Sequence, residues 1–388
     1  MALSVRQLDS LDAPGLEENW QRLCDRTPHV GIFSTHQWCR HWLASFGGGS
    51  RLYVQAVEDE GGEVRAILPT YIERRGPVRW LKLLGRERVS GDHLDLLCAP
   101  ADHRRCLEAL WAHWERSTDF DGLQLGELHG DSPTLTALRF WARQRGYATR
   151  ECQPQTVPYV DLPASFDAYL NTLSANMRYH VRRRLRDVAR RAAGVLRVVD
   201  RSDAVDALLA NLFDLHRRRW QRDGQPGNFG TVAKRDFLRQ FCRQAAERGW
   251  VRLIVLEAGG RPEGVLLAFH WRETASFYQM GWNPATMIAS PGVVLLAASI
   301  RQAISEGLKR YDFLRGDEPY KRRWTTQAIE QITLLVALRT PARAALAALD
   351  LKERVKSTLG PAAWGGLKRL LGVRRTVVGS THEHGERA

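Results

Sequence analysis

The sequence has no uninterrupted apolar run that approaches the ~18 residues needed for a membrane-spanning helix, so no segment is expected to cross a bilayer. Its first residues, MALSVRQLDSLDAPG, lack the basic start, apolar stretch and cleavage site of a signal peptide, and we expect a cytoplasmic protein. The six cysteines form no CxxC pair and lie at no metal-ligand spacing from histidine, which favours reduced thiols and no bound metal. Neither a GxSxG elbow nor a Cys/His signature occurs, so nothing indicates a covalent enzyme nucleophile.

What the sequence does contain is an excess of arginine in its second half. The chain of 388 residues has a formal net charge of +14. Residues 1–150 carry 19 basic and 20 acidic side chains, whereas residues 151–388 carry 38 and 23, a net charge of +15. Arg178–Arg191 alone holds seven arginines against one aspartate. Such clusters attract phosphates, nucleic acid and anionic lipid alike, so the charge indicates an anionic partner without naming it.

The order of predicted helices and strands indicates a mixed α/β fold. An apolar share of 44% and a charged share of 26% are typical of a soluble globular protein, and the length favours two or more domains. Val57–Gly62 leads into Ile67–Tyr71, and Leu256–Gly260 leads into Leu266–His270, in two similar hairpins. Self-similarity at a period of roughly 200 residues favours a duplicated α/β domain over coincidence between two hairpins of a common type.

We expect domains at residues 1–160 and 161–340, followed by a basic helical extension and a disordered tail at 341–388. The extension, Ala342–Leu371, mixes regularly spaced apolar residues with Lys and Arg. A basic amphipathic segment of this kind lies on an anionic membrane or packs on a sheet, and we favour packing.

The most informative stretch begins where Ser290-Pro291-Gly292 opens a helix. Proline at the first turn sacrifices no helical hydrogen bond, and a glycine lets a ligand approach the backbone. We expect free amides at Val293 and Val294, which together with the helix dipole would bind an anion such as a pyrophosphate. The alternative is an ordinary capped helix with a buried Val-Leu-Leu-Ala face.

A dense polar cluster follows that helix, at Tyr311-Asp312-Phe313 and Arg315–Lys321. Ligands of α/β folds bind beyond the carboxyl ends of strands, so we predict that Asp312 binds substrate. Asp317 or Glu318 is a candidate general base and Tyr320 a candidate proton donor. Lys321 would pair with a phosphate or a developing oxyanion. The alternative is a solvated loop whose charges pair among themselves.

The string from Tyr278 through Lys321 carries a family resemblance. It contains YxxGWNP, SPG at a helix start, YDFLRGD and PYK. In this it resembles the GNAT-type acyltransferase domain of the cellulose-biosynthesis CelD-type family, which is similar to the Fem-type aminoacyltransferases. Leu173–Arg183 also resembles that family's arginine-rich opening helix. The resemblance covers about residues 170–325.

The resemblance implies two tandem GNAT-like domains, each a mixed, mostly antiparallel sheet flanked by helices. It implies acyl-CoA as co-substrate, with no permanently bound cofactor, and a pyrophosphate near Ser290, Pro291, Gly292, Val293 and Val294. It also implies an acceptor cleft near His270, Tyr278, Asp317, Tyr320 and Lys321. Acyl transfer in such domains is direct: a base takes the acceptor proton while backbone amides polarise the thioester carbonyl. His270 is alternatively a strand residue packed in the core.

The arginine-rich helix combines an apolar stripe with a basic ridge. The stripe consists of residues at spacings of four and three: Met177, Val181, Leu185, Val188 and Ala192. Arg178 and Arg182 flank it, and we predict that they hold an anionic acceptor or the phosphates of CoA. The alternative for these arginines is a solvated face.

Three functional hypotheses follow. The favoured one is an acyltransferase that moves an acetyl or acyl group from acyl-CoA to an amine or hydroxyl of a sugar or of a cell-envelope or exopolysaccharide precursor. The second is a Fem-like transferase that uses aminoacyl-tRNA; outside it, nucleic acid is not an expected partner. The third is an inactive scaffold of polysaccharide biosynthesis at the inner face of the membrane, with weak contact to anionic lipid through the C-terminal segment.

Overall fold

The computed structural model describes residues 2–370 apart from 192–193, 201, 223 and 225–226. Residues 371–388, the last part of the expected extension and disordered tail at 341–388, therefore lie outside the described residues, as does Ala192 of the apolar stripe. The elements of the first half are, in chain order, β1 (Leu3–Leu8), α1 (Leu16–Arg26), α2 (His36–Phe46), β2 (Arg51–Leu52), β3 (Val54–Asp59), β4 (Val64–Leu68), β5 (Thr70–Arg75), β6 (Val78–Leu83), β7 (Leu97–Cys98), α3 (His103–Arg116), β8 (Gly122–His129), α4 (Pro133–Gln144), β9 (Ala148–Glu151) and β10 (Gln155–Asp161).

The elements of the second half repeat the same plan of strand, two helices, hairpin, strand, helix and strand. They are α5 (Phe166–Thr172), α6 (Ala175–Arg191), β11 (Val195–Val199), α7 (Ser202–Arg222), α8 (Val232–Glu247), β12 (Val251–Ala258), β13 (Arg261–Trp271), β14 (Thr274–Trp282), α9 (Pro291–Ser305), β15 (Arg310–Asp312), a 3-10 turn (Lys321–Arg323), β16 (Gln327–Ala337) and α10 (Thr340–Leu370). The two hairpins predicted from the sequence, β3–β4 and β12–β13, occupy corresponding places in the two halves.

Local signals in the sequence account for several element ends. Ser132 caps α4, since its side chain accepts hydrogen bonds from the amides of Thr134 and Leu135. Pro69 separates β4 from β5, and the two strands belong to different sheets. A proline has no amide to donate to a ladder, so the strand breaks where the chain changes sheets.

The strands form two sheets. The smaller has the order β1-β3-β4-β7, and the larger runs β11-β12-β13-β14-β15-β10-β16-β8-β6-β5-β2, with β9 paired to β16. Most neighbours are antiparallel, but β14 pairs with β15 and β6 pairs with β8 in parallel. The arrangement confirms a mixed, mostly antiparallel sheet in each half.

The two halves exchange strands. β10 belongs to the first half in sequence, yet it lies between β15 and β16 of the second half. In return, the C-terminal part of β16 pairs with both β8 and β9 of the first half. The predicted boundary at residues 160 and 161 therefore falls at the end of a strand that completes the other half of the sheet.

Apolar packing follows the predicted pattern. Trp38, Trp42, Trp111 and Trp114 are buried in a core to which both halves contribute residues. Met177, Val181 and Val188 of α6 are buried against α9, which confirms the described part of the stripe. Ala342 and Leu346 of α10 pack on β6 and β16, so the start of the C-terminal extension is packed on the sheet. Among the described residues, no helix is both long and apolar enough to cross a membrane.

Candidate functional site

The parallel strands β14 and β15 separate after a short contact. They pair at Thr274–Ser276 and Arg310–Asp312, and no described strand pairs with Phe277–Trp282 on the side that faces β15. The chain leaves β15 along β10 instead, because the amide of Phe313 donates to the carbonyl of Pro158. Backbone groups of an unpaired strand edge can bind an extended ligand in the way that a neighbouring strand would.

The corresponding split in the first half is closed. β6 and β8 pair at Trp80–Lys82 and Gly122–Gln124. Beyond that point the amide of Leu94 donates to the carbonyl of Glu127, and the side chain of Arg86 packs directly on Gly126. The loop after β6 therefore fills the gap that stays open in the second half.

The first turn of α9 lies at the open split, and one prediction about it is wrong. The amides of Val293 and Val294 are not free, because both donate to the carbonyl of Ser290, at 3.0 and 3.3 Å. Ser290 adopts a left-handed conformation (φ 55°), which turns its carbonyl into the helix. Pro291 is buried in this turn, and Gly292 is partly exposed.

Trp282, at the end of β14, connects this turn to the opposite face of the sheet. A β-carbon on Gly292 would lie 3.2 Å from Cζ3 of the Trp282 ring, so any larger residue here would require the ring to shift. On the same indole, the guanidinium of Arg219 from α7 lies 3.8 Å from the ring centroid. The ring therefore brings the start of α9 and a cation from α7 to the end of β14.

Tyr320 lies close to Arg219. Burial raises the pKa of its phenol, and the nearby Glu318 carboxylate adds to the rise while Arg219 opposes it. The phenol is therefore protonated at neutral pH and can donate a proton.

Lys321 holds the loop that precedes Tyr320. Its ammonium is buried and donates to the carbonyls of Leu314 and Arg315, at 3.0 and 2.8 Å. It also lies 2.9 Å from Oε2 of Glu318. The predicted partner of a phosphate or oxyanion is thus engaged within its own loop.

Asp317, the third predicted catalytic residue, lies on the surface. Its Oδ1 accepts a 2.6 Å hydrogen bond from Nε of Arg322, and the second carboxylate oxygen pairs with the same guanidinium. The Arg322 guanidinium holds the pKa of Asp317 below its usual range. A carboxylate with a lowered pKa is a weak general base.

Asp312 belongs to a buried charged network between the two halves. Its Oδ2 lies 2.5 Å from Nε2 of His93, in the loop after β6. Burial disfavours the imidazolium, but Asp312 outweighs it and raises the pKa of His93. Nearby, Arg315 lies 2.9 Å from Asp92 and 2.7 Å from Glu127. Asp312 thus faces the first half of the chain.

Tyr278 is partly buried at the same interface. Its ring packs on Phe33 and Trp38 of the first half and on Phe269 of β13. Burial raises the pKa of its phenol. The predicted acceptor-binding tyrosine is therefore part of the contact between the halves.

The other predicted binding residues lie away from the split. His270 pairs with Ala275 at the far end of β13, six residues or ~20 Å from Gly264, which pairs with Trp282. Its Nδ1 lies 2.8 Å from Glu306, and burial lowers its pKa. Arg178 and Arg182 lie in the first turns of α6, where Arg182 pairs with Asp167 of α5.

Sequence reasoning missed His216 and Trp220 of α7. His216 is 1% exposed, its backbone lies against Gly281, and its ring packs on Phe229 and Trp220. In the described part of the chain neither His216 Nε2 nor Trp220 Nε1 has a hydrogen-bond partner. With Arg219 these residues form a polar group at spacings of three and four on a helix that covers the sheet. That spacing is the sequence signal that could have identified them.

One known protein family has a model that matches part of this chain. Residues 175–322, in the second half of the chain, match the family model described as an acetyltransferase (GNAT) domain. The match contains the open split, the start of α9 and the Tyr320 loop. The more specific CelD-type family is not identified by this match.

Most of the chain is similar in fold to several solved structures. FemX has a TM-score of 0.61 at 12% identity, with 82% of this chain and 95% of that chain covered. A tandem GNAT protein from the clavulanic acid biosynthesis pathway has a TM-score of 0.50 at 14% identity, covering 87% and 98%. L-PGS from Bacillus licheniformis has a TM-score of 0.53 at 9% identity, covering 90% and 98%. No curated protein matches the sequence. The fold is therefore that of two tandem GNAT-like units.

Proposed function

We propose that the protein is an acyltransferase that moves an acetyl or acyl group from acyl-CoA to an amine or hydroxyl of a sugar or cell-envelope precursor. The observation that carries the proposal is the open split between β14 and β15, with the start of α9 beside it, inside the matched domain. The closed split of the first half supports a single donor site, in the second half.

In this proposal the donor lies along the unpaired edge of β14. Its pyrophosphate lies near Ser290, Pro291 and Gly292, at the positive end of the α9 dipole. Backbone amides at the split polarise the thioester carbonyl, and the acceptor nitrogen or oxygen attacks the carbonyl carbon. Tyr320 gives its proton to the departing thiolate of CoA, since its phenol is protonated. Its phenolate then takes the proton that the acceptor nitrogen or oxygen loses, which returns Tyr320 to its starting form. No covalent intermediate on the enzyme is required.

Calorimetric titration of the pure protein with acetyl-CoA and longer acyl-CoAs tests the donor. Gly292→Val should weaken binding at least tenfold, because the side chain would push against the Trp282 ring. Val293→Ala is the matched control at the next position and should leave affinity within about twofold, since it removes bulk from a half-buried site. If no acyl-CoA binds to the native protein, the proposal is wrong.

The proposed role of Tyr320 has a matched control in the same segment. With an amine or hydroxyl acceptor found by thiol-release screening, Tyr320→Phe should lower kcat about a hundredfold, the usual contribution of general acid catalysis. Tyr311→Phe removes a buried hydroxyl that bonds to Ser299 at 2.8 Å. It should cost stability of about 1 kcal/mol and leave kcat unchanged. Equal kcat values for the two variants would remove Tyr320 from the mechanism.

A Fem-like reaction with aminoacyl-tRNA is the second candidate, favoured by the net charge of the second half. It predicts tRNA binding that falls steeply with salt. The same calorimetry with aminoacyl-tRNA in place of acyl-CoA decides between the donors. Cytoplasmic location and membrane contact through the C-terminal segment remain part of the proposal for this protein.

A further inference from the structure

The outer face of α6 is a basic surface that the acyl-transfer proposal does not use. The inner face of the helix, Met177, Val181 and Val188, is buried against the core. The opposite face carries five exposed residues spaced by three and four: Tyr179, Arg182, Arg183, Arg186 and Arg190. These four arginines and the tyrosine therefore lie on the side of the helix that faces away from the core.

Much of this charge is not neutralised within the protein. Asp187 pairs with Arg183 at 3.9 Å and with Arg184 at 3.3 Å. Over residues 2–370, with the gaps given above, neither Arg186 nor Arg190 makes an ion pair. The exposed guanidiniums therefore attract an anionic partner.

Exposed apolar side chains lie at both ends of the helix. Tyr179, in its second turn, is 58% exposed, and Met287, in the loop before α9, is 97% exposed. A β-carbon on Gly194 would touch both Val188 of α6 and the carbonyl of Glu257, and one on Gly264 would touch Leu295 of α9. Gly264 pairs with Leu256, the neighbour of Glu257, so the end of α6 and the start of α9 meet at one end of the sheet. Met287 therefore lies at that end.

We propose that this face of α6, with Tyr179 and Met287, docks the protein onto an anionic lipid surface. An anionic lipid surface binds a combination of exposed arginines and exposed apolar side chains, because the arginines pair with headgroups while the apolar side chains enter the interface. A nucleic acid would pair with the arginines and stack a base on Tyr179, but it would gain nothing from Met287, the more exposed of the two apolar side chains. The proposal does not depend on the acyl donor.

Flotation of the full-length protein with phosphatidylcholine vesicles, with and without phosphatidylglycerol, tests the docking surface. The native protein should float only with phosphatidylglycerol. A triple variant, R183E/R186E/R190E, should bind at least a hundredfold more weakly, because each basic side chain near an anionic surface contributes roughly fivefold. The control R104E/R143E/R145E makes the same charge change on exposed positions of the first half and should float like the native protein.

A second pair of variants tests the apolar contribution. Tyr179→Ser and Met287→Ser should each reduce the vesicle binding that remains at high salt, where screening weakens the arginine contribution. Thermal denaturation and acyl-CoA titration of every variant will check that the fold and donor binding are retained. A loss of vesicle binding is thereby distinguished from a loss of acyl-CoA binding. Equal flotation of the two triple variants would overturn the proposal. So would binding of the native protein to tRNA but not to phosphatidylglycerol vesicles.

Discussion

His216 is buried in a place that holds its imidazole neutral. Burial, with a smaller effect of the Arg219 guanidinium, lowers the pKa of His216 to about 3. An unfolded histidine titrates near 6.5, so protons bind the unfolded chain more strongly. Stability contributed by the neutral ring is therefore complete above pH 6.5 and is lost as the pH falls towards 3.

The pH dependence of stability predicts a measurable difference between the native protein and a variant that lacks the His216 imidazole. Between pH 7 and pH 5 the native protein should lose about 2 kcal/mol of unfolding free energy through His216. His216→Phe should lack this loss, which urea denaturation of both proteins at the two pH values would show. Parallel losses in the two proteins would mean that the imidazole is accessible to protons in the folded state.

Substitution of Lys321 tests whether this lysine has a structural or a catalytic role. Lys321→Met leaves the carbonyls of Leu314 and Arg315 and the Glu318 carboxylate without their buried cation. Removing one partner of a buried pair costs about 3 kcal/mol. Lys309→Met, at an exposed position, should change the unfolding free energy by no more than about 0.5 kcal/mol. If Lys321→Met retains native stability but loses turnover, the lysine acts in catalysis.

At the scale of elements, the basic helix α10 contains both buried and exposed leucines. Leu346 is buried against Trp80 and Leu335, whereas Leu351, little more than one turn later, is 63% exposed. Leu346→Ala should therefore cost about 2–3 kcal/mol of unfolding free energy, and Leu351→Ala less than about 0.5. Guanidinium denaturation of the two variants makes the comparison. Similar small values would mean that the helix is not packed on the sheet.

The elements that the sequence predicted well are those fixed by neighbouring residues. The hairpin β3–β4 and the α6 stripe depend on turn residues and on a periodicity, both visible within a few positions. The region of the split was also predicted, because the SPG and YDFLRGD segments resemble a family. The contacts that those segments make were not predicted.

Side-chain roles depended on contacts distant in sequence. Asp312 faces His93, 219 positions earlier, and Tyr278 packs on Phe33. No local pattern indicates that a polar residue at a strand end will meet the other half of the molecule. The Val293 and Val294 amides were mispredicted for a different reason. The carbonyl of an N-cap residue accepts the first bonds of its helix, so amides at the third and fourth helical positions are engaged by Ser290.

At the scale of the molecule, the exchanged strands make the two units interdependent. Without β16, the strands β8 and β9 lose their common neighbour, and without β10, β15 loses its antiparallel partner. The exposed backbone edges would be unpaired in either fragment. The buried network of His93 and Asp312 adds charges that each half alone would leave without partners. Cooperative unfolding of the whole sheet is therefore expected.

A protease site placed in the connection between β10 and α5, residues 162–165, tests this interdependence. After cleavage the two fragments should remain one particle in gel filtration and unfold in a single thermal transition, because β10 and β16 hold each fragment in the sheet of the other. Residues 1–161 and 162–388 expressed separately should each fail to fold, and expressed together they should restore the particle. The uncleaved protein with the inserted site is the control for the insertion itself. Separation of the cleaved fragments into two folded species would show that each GNAT-like unit is complete without the other, which would contradict the strand exchange as the basis of stability.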